Sequence, residues 1–301
     1  MSKILISGGS GMLGKAISEV LLEKGHEVVW LGRKAGSYKG IKMFAWDPQQ
    51  KKIDLKALEK VDVIIHLAGA SIAEKRWTKE YKRTILSSRI EPIEFLHEVI
   101  VQNSIQIKQV IGASAIGYYG SNSLDKVYEE SDGPGDDFLA ETCKRWEESY
   151  VPYSKSDIPL SIVRIGVVLS KQGGAYPKLR NIVNSGFGAA LGTGKQYFPW
   201  IHIDDLASLF VFVMTEKKPG VYNAVSDQMI TNKEFTHLLA KSIGKRIFFP
   251  NIPSFVLHLL LGERAVMLLT GPRISNKKIK EAGFRFRYAD INSALKDLSH
   301  Q

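Results

Sequence analysis

The chain has 301 residues, 44% of them hydrophobic, with a formal charge of +10 and a single cysteine, Cys143. This is enough chain for one large α/β domain plus a smaller lobe, and with no low-complexity tract or fixed-period repeat it excludes disorder except at the ends. The lone cysteine rules out an internal disulfide, and the absence of a charged-then-apolar leader makes a reducing cytoplasm the expected location.

The first predicted strand, Lys3 to Ser7, runs straight into Gly8-Gly9-Ser10-Gly11-Met12-Leu13-Gly14 and then into a helical pattern from Lys15 to Lys24. In this strand–turn–helix order, Gly8 lets the chain turn sharply and Gly11 removes a Cβ where a pyrophosphate must approach. Gly14 lets the helix pack tightly on the sheet. Phosphates would then rest on unpaired helix amides. Ala16, Val20 and Leu21 give the helix a buried face. The motif predicts dinucleotide binding.

The second strand, Glu27 to Leu31, ends in Gly32-Arg33-Lys34 with no acidic residue at its tip. A carboxylate there would bind the ribose hydroxyls, whereas a guanidinium pairs with a 2′-phosphate through a rigid fork. One such pair at about 4 Å and an effective dielectric near 20 is worth roughly 4 kcal/mol before desolvation. The expected cofactor is therefore NADP(H). This polyanion accounts for some of the positive charge. The other basic residues are scattered without a nucleic-acid motif, so no nucleic-acid partner is expected.

Further strands are expected at Lys42–Trp46, Val61–Leu67, Gln109–Ser114 and Leu160–Ile165, each a helix apart from the next. That rhythm belongs to a parallel sheet covered by helices on both faces. Ligands of such sheets bind beyond the carboxyl ends of the strands, which nominates Asp47, Ala68-Gly69-Ala70, Ser114 to Tyr119, and Gly166-Val167. From about Ser170 glycine-rich loops and then helices follow, with Val221–Ala224 reading as one more strand returning to the sheet. The expected fold is a Rossmann-like doubly wound α/β sheet (residues 1–169) with a smaller, mostly helical C-terminal substrate lobe (170–301). Phe255 to Leu269 is densely apolar, but Gly262-Glu263-Arg264 interrupts it too soon for a bilayer span. A packed helix pair is expected there, and no membrane partner; a membrane-surface or partner-binding face is the alternative.

Six motifs and a tail together resemble the extended short-chain dehydrogenase/reductases, and within them the sugar-nucleotide-epimerase-like epimerase family. The motifs are Gly8–Gly14, His66–Ala70, Ser88-Arg89, Ser114–Gly120, Arg164–Leu169 and Trp200–Asp205; the tail is Gly283–Phe286. The resemblance spans nearly the whole chain, including a small C-terminal module from about Pro250. It implies a Rossmann core, a nicotinamide cofactor and a site between the core and the C-terminal lobe. The implied cofactor contacts are Gly8, Ser10, Gly11, Met12, Leu13, Gly14, Arg33, Lys34, Leu67, Ala68, Gly69, Lys144 and Gly166. Arg89, Tyr118 and His202 are implied on the substrate side, with Arg76-Trp77 as a substrate-side loop. No metal is expected: His202, Asp204 and Asp205 are spaced like ligands but are more readily read as a helix start, with Asp204 or Asp205 as its N-cap.

Relatives carry a Tyr-x-x-x-Lys pair on the helix after the serine strand; the lysine lowers the phenol's pKa and the tyrosinate moves the proton that accompanies hydride transfer. Here Lys144 has Ala140 where the phenol should be. Among the tyrosines only Tyr38 has a lysine four residues on, Lys42, and that is a coincidence of spacing. The expected reaction-site residues are Ser114, Lys144 and Tyr119, with Tyr118, Cys143 and Glu141 as other proton donors. Two readings stand. In one, the chain is an NADP(H)-preferring oxidoreductase or epimerase-like protein acting on a small hydroxyl- or carbonyl-bearing molecule. In the other, it is a catalytically silent nucleotide-binding regulatory or partner-binding protein. Ala140→Tyr is expected to raise carbonyl reduction if the pocket survives. A homodimer through the helices around Ser88 and Phe138 is implied by the resemblance, with Trp146 either in that contact or in the core.

Overall fold

The computed structural model describes residues 1–120 and 125–299. Its strands are β1 (Lys3–Ser7), β2 (Glu27–Gly32), β3 (Gly36–Tyr38), β4 (Ile41–Asp47), β5 (Lys52–Ile53), β6 (Val63–His66) and β7 (Gln109–Ala115), followed by β8 (Val127–Tyr128), β9 (Leu160–Ile165), β10 (Val167–Ser170), β11 (Gly173–Gly174), β12 (Trp200–His202), β13 (Gly220–Ala224) and β14 (Arg273–Ile274). The helices begin with α1 (Met12–Glu23), α2 (Lys79–Gln102), α3 (Phe138–Glu148), α4 (Val151–Lys155), α5 (Tyr176–Asn184) and α6 (Ile203–Thr215). They continue with α7 (Asn232–Ser242), α8 (Ser254–Leu261), α9 (Val266–Leu269), α10 (Lys277–Glu281) and α11 (Ile291–Ser299).

The central sheet runs β13-β9-β7-β6-β1-β2-β4-β3, with β5 pairing β4. Every pairing from β13 through β4 is parallel, and β3 and β5 join β4 antiparallel. Strands buried on both faces are apolar throughout: Ile4, Leu5, Ile6, Ile64, Ile65, Val110 and Ile111 have no exposed surface. Helix α1 faces the sheet with Gly14, Ile17, Ser18 and Leu21, a spacing of three and four residues. After β1 the chain goes to β2 on one side, and β6 lies on the other, so the strand order reverses between β1 and β6. A crevice opens at that point beyond the carboxyl ends.

The helix-apart rhythm fails early. Between β2 and β4 there is no helix, only the short antiparallel β3 and a turn with Lys39 and Gly40 at φ 47° and 83°. Between β4 and β6 stand β5 and a 3₁₀ turn at Leu55–Leu58. Neither connection forms a covering helix, and Trp30, Tyr38 and Phe44 pack at that edge, with the Trp30 and Tyr38 rings stacked at 5.5 Å. Tyr38 and Lys42 point into separate contacts: Lys42 lies over the Phe44 ring at 4.5 Å.

A second core gathers Leu169, Tyr176, Val183, Trp200, Phe235, Leu239, Tyr288, Ile291 and Leu295 from later segments. Trp200 is therefore packing, its indole N–H donating to the Gln228 carbonyl at 3.2 Å. The tail is tied back by Asp205, whose carboxylate accepts from the backbone amides of Arg287 and Tyr288 at 2.8 and 2.9 Å. Trp146 belongs to the main core.

Candidate functional site

The glycine turn owes its shape to steric necessity. Gly8 has φ +77°, and a Cβ on it would sit 3.0 Å from the Ala68 amide nitrogen. Gly9 lies against the Trp30 indole with no room for a side chain. A Cβ on Gly14 would fall 2.5 Å from Gly9 Cα and 2.6 Å from Gly9 O, so Gly14 is demanded by its own loop rather than by the sheet. Gly11 differs: a Cβ there would meet only Gly8 O, at 3.2 Å, and otherwise faces open space. Gly11 is also the N-cap of α1, with no side-chain capping bond. The amides of Met12, Leu13 and Gly14 therefore emerge without partners beside an unfilled approach, which suits a pyrophosphate. The side chain of Met12 is otherwise engaged, with Gly173 and Gly174 against its sulfur and methyl. Ser10 is exposed at the tip.

The opposite wall is the loop after β6. Leu67 extends the sheet by donating to Ser7 O at 3.0 Å. Two neighbours on α2 clamp the loop: Ala70 N donates to Ser88 Oγ at 2.9 Å, and Arg89 donates to Ala70 O at 3.0 Å and Ile85 O at 2.7 Å. The Arg89 guanidinium also lies over the Trp146 ring at 5.1 Å, and a Cβ on Gly69 would reach its Cγ at 3.2 Å. Arg89, expected to bind substrate, is thus committed to holding Ala68–Ala70. Beneath the loop, Ser7 and His66 are register partners, and Ser7 Oγ lies 2.6 Å from His66 Nδ1 with both side chains fully buried. His66 Nε2 has no partner, and burial pulls the imidazole down to about 4.

At the β2 tip Arg33 and Lys34 are exposed, and neither forms an ion pair among the described residues. Lys15 lies over the Tyr38 ring at 4.8 Å, adding a third cation to that corner.

The expected reaction end is closed. Ser114, Arg164 and Asn223 are register neighbours across β7, β9 and β13, and α3 lowers Glu147 onto them. Ser114 Oγ donates to Glu147 Oε1 at 2.7 Å, and Arg164 grips both Glu147 oxygens at 2.8 Å. Arg164 also donates to the Tyr119 hydroxyl at 2.9 Å, which donates on to Asn223 Oδ1 at 2.7 Å. Ser114 is 1% exposed and Tyr119 has no exposed surface; burial pushes the Tyr119 phenol up to about 12. Tyr119 is thus a structural member of the network and not a proton donor facing a substrate. Cys143 is likewise buried and pushed up to about 12 by burial. Tyr118 is half-buried with its ring against the Arg164 guanidinium at 3.5 Å, and burial raises its phenol.

Ala140 has no exposed surface and faces Gly120, whereas Lys144 and Glu141 on the same helix are exposed. There is no space at Ala140 for a phenol, so Ala140→Tyr would overpack the core and not restore a catalytic pair. His202 is buried at the start of α6. It caps α6 by accepting from Asp204 N at 3.2 Å, its ring lies 3.9 Å from that of Tyr288, and burial lowers its pKa. The N-cap is therefore His202, and neither Asp204 nor Asp205. Gly166 is fixed by the Pro199 carbonyl, 2.6 Å from where its Cβ would lie. Trp77 packs edge-on against Phe138 at 5.1 Å, and Arg76 is exposed. A separate cleft of about 340 Å³ lies between Pro48–Lys51 and Glu91, Glu94, Phe95 and Glu98; its carboxylates suit it poorly to a dinucleotide.

The sequence alone assigns Glu147 no partner, because Ser114 and Arg164 reach it only once α3 packs on β7 and β9. A charged residue inside the apolar strand Ser161–Ile165 was the available signal, since a buried arginine requires a carboxylate.

A parallel sheet with a glycine cradle at its switch point and a serine at the end of the fifth parallel strand defines a Rossmann-type, short-chain dehydrogenase/reductase-like protein. The chain belongs to the NAD dependent epimerase/dehydratase family, whose model matches residues 4–224. Residues 252–298 match a domain of unknown function, DUF1731. An epimerase family protein of Mycobacterium bovis is 33% identical, covering 97% of this chain and 96% of its own. Mouse epimerase family protein SDR39U1 is 32% identical, with 98% and 99% covered. The crystal structure of human SDR39U1 with NADPH matches with a TM-score of 0.87 at 30% identity, covering 99% of each chain. A UDP-N-acetylglucosamine 4-epimerase from Bacillus cereus, 19% identical with a TM-score of 0.79, shares the fold.

Proposed function

We propose that this protein binds NADP(H) in the β1–α1 cradle and acts as an oxidoreductase or epimerase-type enzyme on a small hydroxyl- or carbonyl-bearing molecule. The observation that carries the reading is the open approach at Gly11 beside three unpartnered amides, with Arg33 and Lys34 uncommitted where a 2′-phosphate would lie. A relative at 30% identity over 99% of its chain was solved with NADPH. The division of labour follows the fold: residues 1–169 with β13 hold the cofactor, and 170–301 shape the substrate side. In this reading Leu67, Ala68 and Gly69 are the facing wall of the cofactor site, and Lys144 and Gly166 are assigned to the reaction end.

Bound NADPH supplies a hydride. The chain must then furnish a proton and orient the carbonyl. Ser114, 1% exposed and bonded to Glu147, stays within the buried network and positions the residues around it. Tyr118, half-buried and held protonated by burial, takes the donor role that Tyr119 lacks the exposure to fill. General acid help of this kind is worth about 10²–10⁴ in rate. The test is single-turnover oxidation of bound NADPH against pooled sugar nucleotides, aldehydes, ketones and quinones. Oxidation is expected, and Tyr118→Phe should slow it within that range. An unchanged Tyr118→Phe rate removes Tyr118 from the role.

A specific observation also favours a second reading, that of a silent nucleotide-binding protein: Ala140 is sealed in and Ser114 is satisfied internally. Tight NADPH binding with no oxidation of the pool would select it. A cytoplasmic location and a homodimer through α2 and α3 belong to the same proposal; cell fractionation checks the first and the molecular mass in solution the second.

A further inference from the structure

Two segments of the second half of the chain contain no acidic residue, Ile158 to Ile203 and Phe235 to Gly262. The same two segments carry most of the large apolar side chains that the fold leaves in solvent: Ile182, Phe187, Phe248, Phe249, Phe255, Leu259 and Leu260. They belong to one surface. Ile252 N donates to Ala190 O at 2.8 Å and Gly192 N to Ile252 O at 2.8 Å, pinning the chain before α8 along the loop that follows α5. Phe187 and Phe249 stack across that seam at 5.9 Å. Helix α8 reads Ser-Phe-Val-Leu-His-Leu-Leu-Leu and buries only Leu257, while Phe248 and Leu259 are 80% and 79% exposed. Lys241, Lys245 and Arg246 are exposed beside the apolar tips and form no ion pair among the described residues.

We propose that this surface docks the protein peripherally on an anionic lipid bilayer, with Phe248, Phe255 and Leu259 entering the interface and Lys245 and Arg246 meeting the headgroups. Protruding apolar tips flanked by cations, on segments that carry no carboxylate, are what such an interface attracts. A second copy of the chain is disfavoured, because a two-fold contact on this patch would bring basic residues against basic residues. The segment after α8 is anchored to the loop after β6 and to α2: Glu263 pairs with Lys82, and Arg264 donates to Ala73 O at 3.1 Å. This inference does not rest on the proposed chemistry, since it requires no turnover.

The test is co-sedimentation of the full chain with vesicles of phosphatidylcholine alone and of phosphatidylcholine with 30% phosphatidylglycerol. Binding to the anionic vesicles, weakened by salt, and little binding to the neutral ones is expected. Phe248→Ser with Leu259→Ser should lower the partition by more than about tenfold. Lys245→Glu with Arg246→Glu should do so by a similar factor. Unchanged NADPH affinity and melting temperature in both variants establish that they fold. Absence of binding to the anionic vesicles overturns the proposal, as does equal binding by folded variants. A dimer that these same variants dissociate, with no vesicle binding, would assign the patch to a second copy.

Discussion

At the α1 end of the crevice three helix amides face an open approach, and the cations at the β2 tip have no carboxylate partner among the described residues. At the α3 end Ser114, Glu147, Arg164, Tyr119 and Asn223 are bonded to one another inside the sheet. The first arrangement leaves groups that a ligand can bond, and the second is complete without one. A fold can therefore keep its nucleotide cradle while its proton-transfer end becomes part of the scaffold. Binding and stability should respond to different residues.

The largest expected effect comes from breaking the closed end. Glu147→Leu leaves the Arg164 guanidinium, 3% exposed, without its carboxylate. Removing one partner of a buried ion pair costs about 3–5 kcal/mol. Urea unfolding should register a loss of that size, with NADPH affinity per folded molecule little changed. A loss below about 1 kcal/mol would mean that water reaches Arg164 and that this end is open after all.

His66 lies between the two ends and makes stability depend on pH. Its folded pKa is about 4 against 6.5 for an ordinary histidine, because burial disfavours the charged ring. Below pH 6.5 the unfolded chain takes up a proton that the folded chain refuses until about pH 4. The stabilisation is therefore present above pH 6.5 and is lost progressively as pH falls towards 4, by at most about 3 kcal/mol. His66→Gln should flatten this part of the stability profile; a profile unchanged by the substitution would assign the slope to other groups.

Gly14→Ala tests the cradle. Its new Cβ would meet backbone at 2.5 Å, not a movable side chain, so the loop must shift. Overpacking of this kind costs about 1–3 kcal/mol, and displacing the amides should weaken NADPH by about tenfold or more. A variant that retains wild-type affinity would show that the amides of α1 are not the phosphate site.

These contrasts also mark where the sequence was legible. The cradle could be read because its requirements are local: a strand, glycines at fixed offsets and a helix, all within Lys3–Glu23. The β7, β9 and β13 strands could be read for the same reason. The Ser114–Glu147–Arg164 network could not, because it joins residues up to 50 apart through register and helix rotation. His202 misled for the converse reason. Its motif is visible, but its ring is occupied by Tyr288 and by Asp204 N, partners that only the folded tail and helix start supply. Arg89 lies next to Ser88 in a visible motif, yet what it holds, the Ala70 carbonyl, is on another element.

The smallest and most selective effect is expected at Arg33. It is exposed and without an ion pair, so Arg33→Glu should leave stability within about ±0.5 kcal/mol. Its consequence should appear in cofactor choice alone. A carboxylate there would repel a 2′-phosphate and accept from a ribose hydroxyl, so the ratio of NADPH to NADH affinity should fall by roughly tenfold or more, equivalent to about 1.4 kcal/mol. The fall should shrink with added salt, because the site is open to solvent. Paired titrations with the two cofactors check this. If both affinities drop together, Arg33 acts on the loop and not on the phosphate, and the 2′-phosphate contact moves to Lys34 or Lys15.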